Sequence, residues 1–226
     1  MSGRRRRVAL LVPSSNTVME PDFARGLPAG TTVHTARMLL RDVTADAEAR
    51  MLDDHTLPAA ERVATVDPDL CVFGCTSAGA LRGHAADAAL TARIAEITRA
   101  PTVSVITAVR SALEAIGGST IAVATPYTDD LGERVVAGLD GLGRVVAVAN
   151  LGLVDNREIG AVEPADITDF VLRELGSVAA DVIFVSCTNF RAAEALDDVR
   201  AATGRPATSS NVATLDAVCR ELVAAG

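Results

Sequence analysis

Cys75 and Cys187 stand 112 positions apart in a chain of 226 residues, and each is followed by threonine. The motifs are Gly74-Cys75-Thr76-Ser77 and Ser186-Cys187-Thr188-Asn189. Each follows a strand-like apolar run, Asp69-Leu70-Cys71-Val72-Phe73 in the first half and Asp181-Val182-Ile183-Phe184-Val185 in the second. The repeat reaches further upstream. Residues 8–12 lead into the polar turn Pro13-Ser14-Ser15-Asn16, and residues 120–124 into Pro126-Tyr127-Thr128, again at an offset near 112. Such a chain is expected to build one unit twice, with a thiol at a strand tip in each half.

Continuous apolar runs are expected of strands buried on both faces. In the first half, residues 8–12, 31–38, 70–74 and 102–105 read as strands. Helices are expected at 45–66, at 85–98 and from the fourth strand through Ile116, the first of them with Ala, Arg and Glu on a solvated face. The second half has strands at 120–124, 144–151, 181–185 and 206–209, and helices at 129–139, 164–175, 194–203 and 212–224. Alternation of this kind implies α/β architecture with parallel sheets covered by helices. Two similar lobes are expected, residues 1–116 and 117–226, with the last helix free to cross over to the first lobe. Ligands of open parallel sheets bind at the carboxyl ends of the strands. Both Cys-Thr motifs and both Pro-containing turns fall there, so the active site is expected in the cleft between the lobes.

Composition narrows the chemistry. The net charge of −8 argues against nucleic acid as a partner. An anion site must therefore be built locally from backbone N–H groups and hydroxyls. The chain contains no lysine, which excludes a Schiff base and the Lys-containing phosphate loop. Catalysis without a cofactor is the expectation. The three histidines are scattered, no Cys-x-x-Cys pair occurs, and no metal site is expected. Cys71 and Cys219 read as plain buried residues. No run reaches the roughly 18 to 20 apolar residues of a membrane helix. The arginines at 4–7 precede an apolar run too short for a signal sequence, so a cytoplasmic protein is expected.

Cys75 sits among small residues that let the backbone turn and expose its N–H groups. With the Thr76 and Ser77 hydroxyls, these can cradle a carboxylate. A helix starting behind the turn is expected to lower the thiol pKa. The alternative is a buried cysteine with a helix cap behind it. Cys187 reads the same way, with Thr188 and Asn189 downstream. The duplication favours a paired role. Asn16, in a turn with Ser14 and Ser15, can cap the next helix or aim its amide at a ligand, and the polarity of the turn favours the ligand. Ser209-Ser210-Asn211 looks similar, with capping of the last helix as the expected use. Tyr127 is the one tyrosine, and a phenol at a strand tip reads as a ligand donor. Asn156 is, from spacing alone, a turn residue.

Together, Val12-Pro13-Ser14-Ser15-Asn16-Thr17, Gly74-Cys75-Thr76-Ser77, Thr125-Pro126-Tyr127-Thr128 and Ser186-Cys187-Thr188-Asn189 resemble the maleate cis–trans isomerases of the aspartate/glutamate racemase superfamily. The resemblance runs through nearly the whole chain. It implies two Rossmann-like lobes about a pseudo-twofold axis, no cofactor, and a small dicarboxylate held between two cysteines. Cys75 would be the nucleophile and Cys187 its partner. Asn16, Tyr127 and Asn156 would hold carboxylates, with Ser14, Thr76, Ser77 and Thr188 around them. A homo-oligomer is also implied. The amino-acid racemases of the superfamily usually carry Cys-Asn-Thr where this chain has Cys-Thr-Ser. The similar arylmalonate decarboxylases keep only the second cysteine.

The expected reaction is isomerisation of maleate to fumarate through a covalent Cys75 adduct. Two alternatives stand beside it. One is racemisation of an amino acid or hydantoin-like substrate by two cysteines acting on opposite faces, or a related arylmalonate-decarboxylase-like reaction. The other is a binding protein without turnover.

Overall fold

The computed structural model describes residues 5–224. Arg4, in the N-terminal arginine run, lies outside the described residues, as do the outermost residues of the two expected lobes. Strands β1 (Arg6–Pro13), β2 (Thr31–Met38), β3 (Leu70–Phe73) and β4 (Thr102–Ser104) form one sheet in the order β2-β1-β3-β4. Strands β5 (Thr120–Thr125), β6 (Arg144–Asn150), β7 (Val182–Val185) and β8 (Ala207–Ser209) form a second in the order β6-β5-β7-β8. Every pair is parallel. The two-lobed α/β fold is as the repeat implies.

The inner strands are apolar because helices cover both faces: Val8 through Val12 are fully buried. The outer strands β2 and β6 are half-exposed and carry polar side chains. Val8 pairs with Leu70 and Ile121 with Val182, so β3 and β7 take equivalent places. Equivalent aspartates set that register. Asp69 accepts the Arg7 N–H at 2.8 Å, and Asp181 accepts those of Ser119 and Thr120 at 2.7 and 2.9 Å.

The helices depart from expectation in two ways. Helix α8 (Asn156–Ala161) folds where the sequence suggests a turn, while the helices expected after Asn16 and behind Cys75 are the short α1 (Met19–Gly26) and α4 (Thr76–Leu81). The single helix expected at 45–66 is instead α2 (Ala45–Arg50), a π-helical turn at Met51–His55, and α3 (Thr56–Ala64). Pro58 is the physical reason: it has no N–H, and its ring clashes with the carbonyl four residues back. The Thr56 hydroxyl caps the looser turn on the Met51 carbonyl at 3.0 Å. Glu48, expected on a solvated face, is fully buried, because α2 packs on α4 at the cleft.

The remaining helices are α5 (His84–Thr98), α6 (Val105–Ile116), α7 (Asp129–Ala137), α9 (Pro164–Leu175), α10 (Ala192–Thr203) and α11 (Ser210–Ala224). Helix α11 packs on α6, α1 and β4 of the first half as well as on β8 and α10 of the second. Among the described residues no helix is long and apolar enough to cross a membrane.

Candidate active site

The tips of β3 and β7 carry the two thiols to one small cavity. Its wall includes Cys75, Cys187, Asn16, Ser77, Tyr127, Asn156 and Thr188. Of the expected site residues, Ser14 and Thr76 are outside this lining. The Ser14 hydroxyl donates to the Leu40 carbonyl and accepts the Leu40 N–H, each at 3.1 Å. The Thr76 hydroxyl donates to Ser210 Oγ at 2.8 Å. The cavity volume is about 10 Å³, room for about one water molecule.

Gly74 lets the first loop form. A Cβ there would meet the Leu11 carbonyl oxygen at 2.9 Å and Met19 Sδ at 2.8 Å. Cys75 then takes an extended conformation as the N-cap of α4. Cys187 differs: its φ is +97°, a region that non-glycine residues rarely occupy and that costs about 1–3 kcal/mol. The two thiols hold equivalent places in the fold but not equivalent backbones.

Bonds between the lobes hold this geometry. Asn16 does both jobs open to it. Its Oδ1 accepts the N–H groups of Val18 and Met19 at 3.1 and 3.0 Å, capping α1, and its Nδ2 donates to Thr188 Oγ1 at 3.1 Å across the cleft. The Thr188 hydroxyl in turn donates to the Gly74 carbonyl at 3.1 Å. Asn156 starts α8, donates to Ser15 Oγ at 2.8 Å and accepts from Asn189 Nδ2 at 3.1 Å. Ser210 Oγ accepts both the Thr76 hydroxyl and the Cys187 N–H, the latter at 3.0 Å, joining the two cysteine loops. Over the cavity, the Val43 N–H donates to the Val154 carbonyl at 2.8 Å, beside an antiparallel bridge between Asp42 and Asp155.

Comparison with known proteins gives this site its family. The family model for arylmalonate decarboxylase matches residues 8–225. The chain belongs to the arylmalonate decarboxylase family. The decarboxylase of Bordetella bronchiseptica is 30% identical over 208 residues, covering 90% of this chain and 82% of that protein. The maleate isomerase of Geobacillus stearothermophilus is 26% identical over 230 residues, covering 96% and 91%. A cysteine-to-alanine variant of the Pseudomonas putida S16 maleate isomerase, solved with maleate, superposes with a TM-score of 0.90 at 26% identity, covering 96% of this chain and 92% of that one. The resemblance to the maleate isomerases therefore extends to the fold.

The electrostatics of this family member overturn one expectation. The helix behind Cys75 does not make it a ready thiolate. Burial pushes the Cys75 thiol well above its ordinary value, the Glu48 charge adds to this, and the Ala78 N–H and Ser77 hydroxyl offset only part. Burial lifts Cys187 to about 11, against the Tyr127 hydroxyl and the Asn189 and Phe190 N–H groups that bond its sulfur. Tyr127, 1% exposed, is likewise pushed up by burial and by the two cysteines. In a cavity this dry the neutral forms win.

Sequence reasoning missed Glu48, Asn189 and Ser210. Glu48 lines the cavity and accepts a hydrogen bond from the Ser77 hydroxyl on Oε1, while Oε2 is buried without a partner. Burial lifts its carboxyl from the ordinary 4.5 to about 7. Its one legible signal was its place one turn into α2, on the face opposite Arg50. Ser210 and Asn211 looked like a cap. Ser209 does that work, accepting the Val212 N–H at 3.3 Å. Asn211 instead donates to Asp22 at 2.7 Å and to the Thr188 carbonyl at 3.1 Å. Among the described residues no three His, Cys, Asp or Glu side chains stand together as a metal ion would need.

Proposed function

We propose that this enzyme converts maleate to fumarate through a covalent adduct on Cys75. The observation that carries the reading is the cavity itself: two thiols from equivalent strand tips line it together with Asn16, Tyr127 and Asn156. A carbon–carbon double bond must become single before it can rotate. The Cys75 thiolate adds to one alkene carbon, and the π pair moves into the adjacent carboxylate. Hydrogen bonds from Asn16, Asn156 and Tyr127 stabilise that charge. The central bond rotates, the pair returns, and the thiolate leaves from the trans isomer. Cys187, bonded by Tyr127, supplies and retrieves a proton at the neighbouring carbon.

Cys75 speaks against the decarboxylase branch, whose resemblance calls for the second cysteine alone. The cavity must widen to take a dicarboxylate, and the paired segments around Val43 and Val154 form its cover. With this reading go a homo-oligomer and a reducing, cytoplasmic setting, which suits free thiols at Cys71, Cys75, Cys187 and Cys219.

The test is proton NMR of the protein with maleate in deuterated buffer under reductant. Fumarate should appear, and Cys75→Ala should abolish it while the fold survives. Full activity in that variant would remove the nucleophile from the mechanism. Exchange of an α-hydrogen in aspartate, glutamate or a hydantoin, without fumarate, would assign a racemase instead.

A further inference from the structure

A buried thiol cannot attack an alkene until something takes its proton, and the cavity holds almost no water to do so. Its lining, among the described residues, contains no histidine, lysine or arginine. The titratable groups there are two thiols, one phenol and one carboxyl, that of Glu48. A chain of contacts joins that carboxyl to the nucleophile. Ser77 Oγ donates to Glu48 Oε1, so its lone pairs face Cys75, whose Sγ lies 3.9 Å away.

We propose that Glu48 is the proton acceptor for Cys75, acting through the Ser77 hydroxyl. The Cys75 proton moves to Ser77 Oγ as the Ser77 proton moves to Glu48 Oε1. The sulfur keeps its electron pair and bonds the alkene carbon with it. When the carbon–sulfur bond breaks, the pair returns to sulfur and the proton runs back along the same path. No other reactant is needed. The proposal rests on Cys75 being the nucleophile.

The surroundings fit a group that must exchange a proton near neutral pH. Burial raises Glu48 while both thiols and Tyr127 are raised further, so it is the group in the cavity that ionises first. The helix α4 facing it has no charged residue. The cation that reaches it is Arg134 of α7, itself bonded to Asp130 at 3.3 Å. In the adjoining π-helical turn, Asp53 is paired with Arg82 at 2.6 Å.

The test is the rate at which iodoacetamide alkylates Cys75, read peptide by peptide by mass spectrometry across about pH 5.5 to 9.5, a range spanning the Glu48 and free-thiol values. In the parent protein the rate should climb through about pH 7 and then level off. Glu48→Gln and Ser77→Ala should each lose that step and react about tenfold more slowly at pH 8. A purely electrostatic Glu48 predicts the reverse, since its charge pushes the Cys75 thiol up and its removal should speed alkylation. Faster reaction in Glu48→Gln, or an unchanged profile, overturns the relay. Equal slowing of Cys75 and Cys187 also overturns it, because that reports access to the cavity. The readout needs no substrate. Silence toward maleate with the step intact would sink the proposed reaction and leave the relay standing.

Discussion

The burial of Glu48 ties the stability of the fold to pH. Its carboxyl sits at about 7 in the folded protein, against the ordinary 4.5 that an unfolded chain restores. The direction follows from proton counting. Below about pH 4.5 both states hold the proton, and Glu48 carries no ionisation penalty. Between about 4.5 and 7 the unfolded chain releases its proton while the folded state keeps it, so stability falls as pH rises. Above about 7 both are ionised and the loss is complete. A separation of about 2.5 in pKa, at about 1.36 kcal/mol for each, amounts to about 3 kcal/mol. Replacement by Gln keeps the shape and removes the titration. Urea unfolding of both proteins under reductant, at intervals from pH 4.5 to 8, gives the difference directly, because every other group cancels in it. Glu48→Gln should gain on the parent protein by about 3 kcal/mol over the window from about 4.5 to 7 and hold that gain above it. Parallel stability curves would refute the reasoning, and would mean that Glu48 stays solvated or finds a cation when ionised.

Two further predictions concern the framework of the site. Ser210→Ala should leave the Thr76 hydroxyl and the Cys187 N–H without a partner in a buried place, at about 1–3 kcal/mol for each. A loss below about 1 kcal/mol by urea unfolding would show that the two cysteine loops do not depend on that link. At position 187 the positive φ reverses a familiar order. Cys187→Gly should be more stable than Cys187→Ala by about 1 kcal/mol, although glycine is normally the weaker residue. The usual order in thermal unfolding would mean that the loop relaxes when the sulfur is removed.

Much of the architecture was legible because it is local. Residues 8–12 and 181–185 read as strands from their apolar character, and both proved fully or almost fully buried apart from the exposed Asp181, which precedes β7. The offset of 112 between the cysteines placed each thiol at a strand tip, since β3 and β7 end one residue before their motifs' Gly74 and Ser186. Helix α9 kept the bounds the periodicity suggests, with Pro164 at its start. The helix expected at 45–66 is broken because Pro58, early in α3, overrides the helical periodicity around it.

The duplicated α/β frame and the two thiols at its strand tips are legible in the chain alone, because strand burial and strand ends are written in adjacent residues. What those thiols are chemically depends on the folded surroundings. Burial from both lobes holds them protonated where a local argument from the helix start expects a thiolate. Glu48 meets Ser77 across 29 positions, Thr76 meets Ser210 across 134, and Asn16 meets Thr188 across 172. No periodicity encodes such pairs. They exist because the chain closes on itself and shuts out water, and the proton affinities of the site are set by that closure.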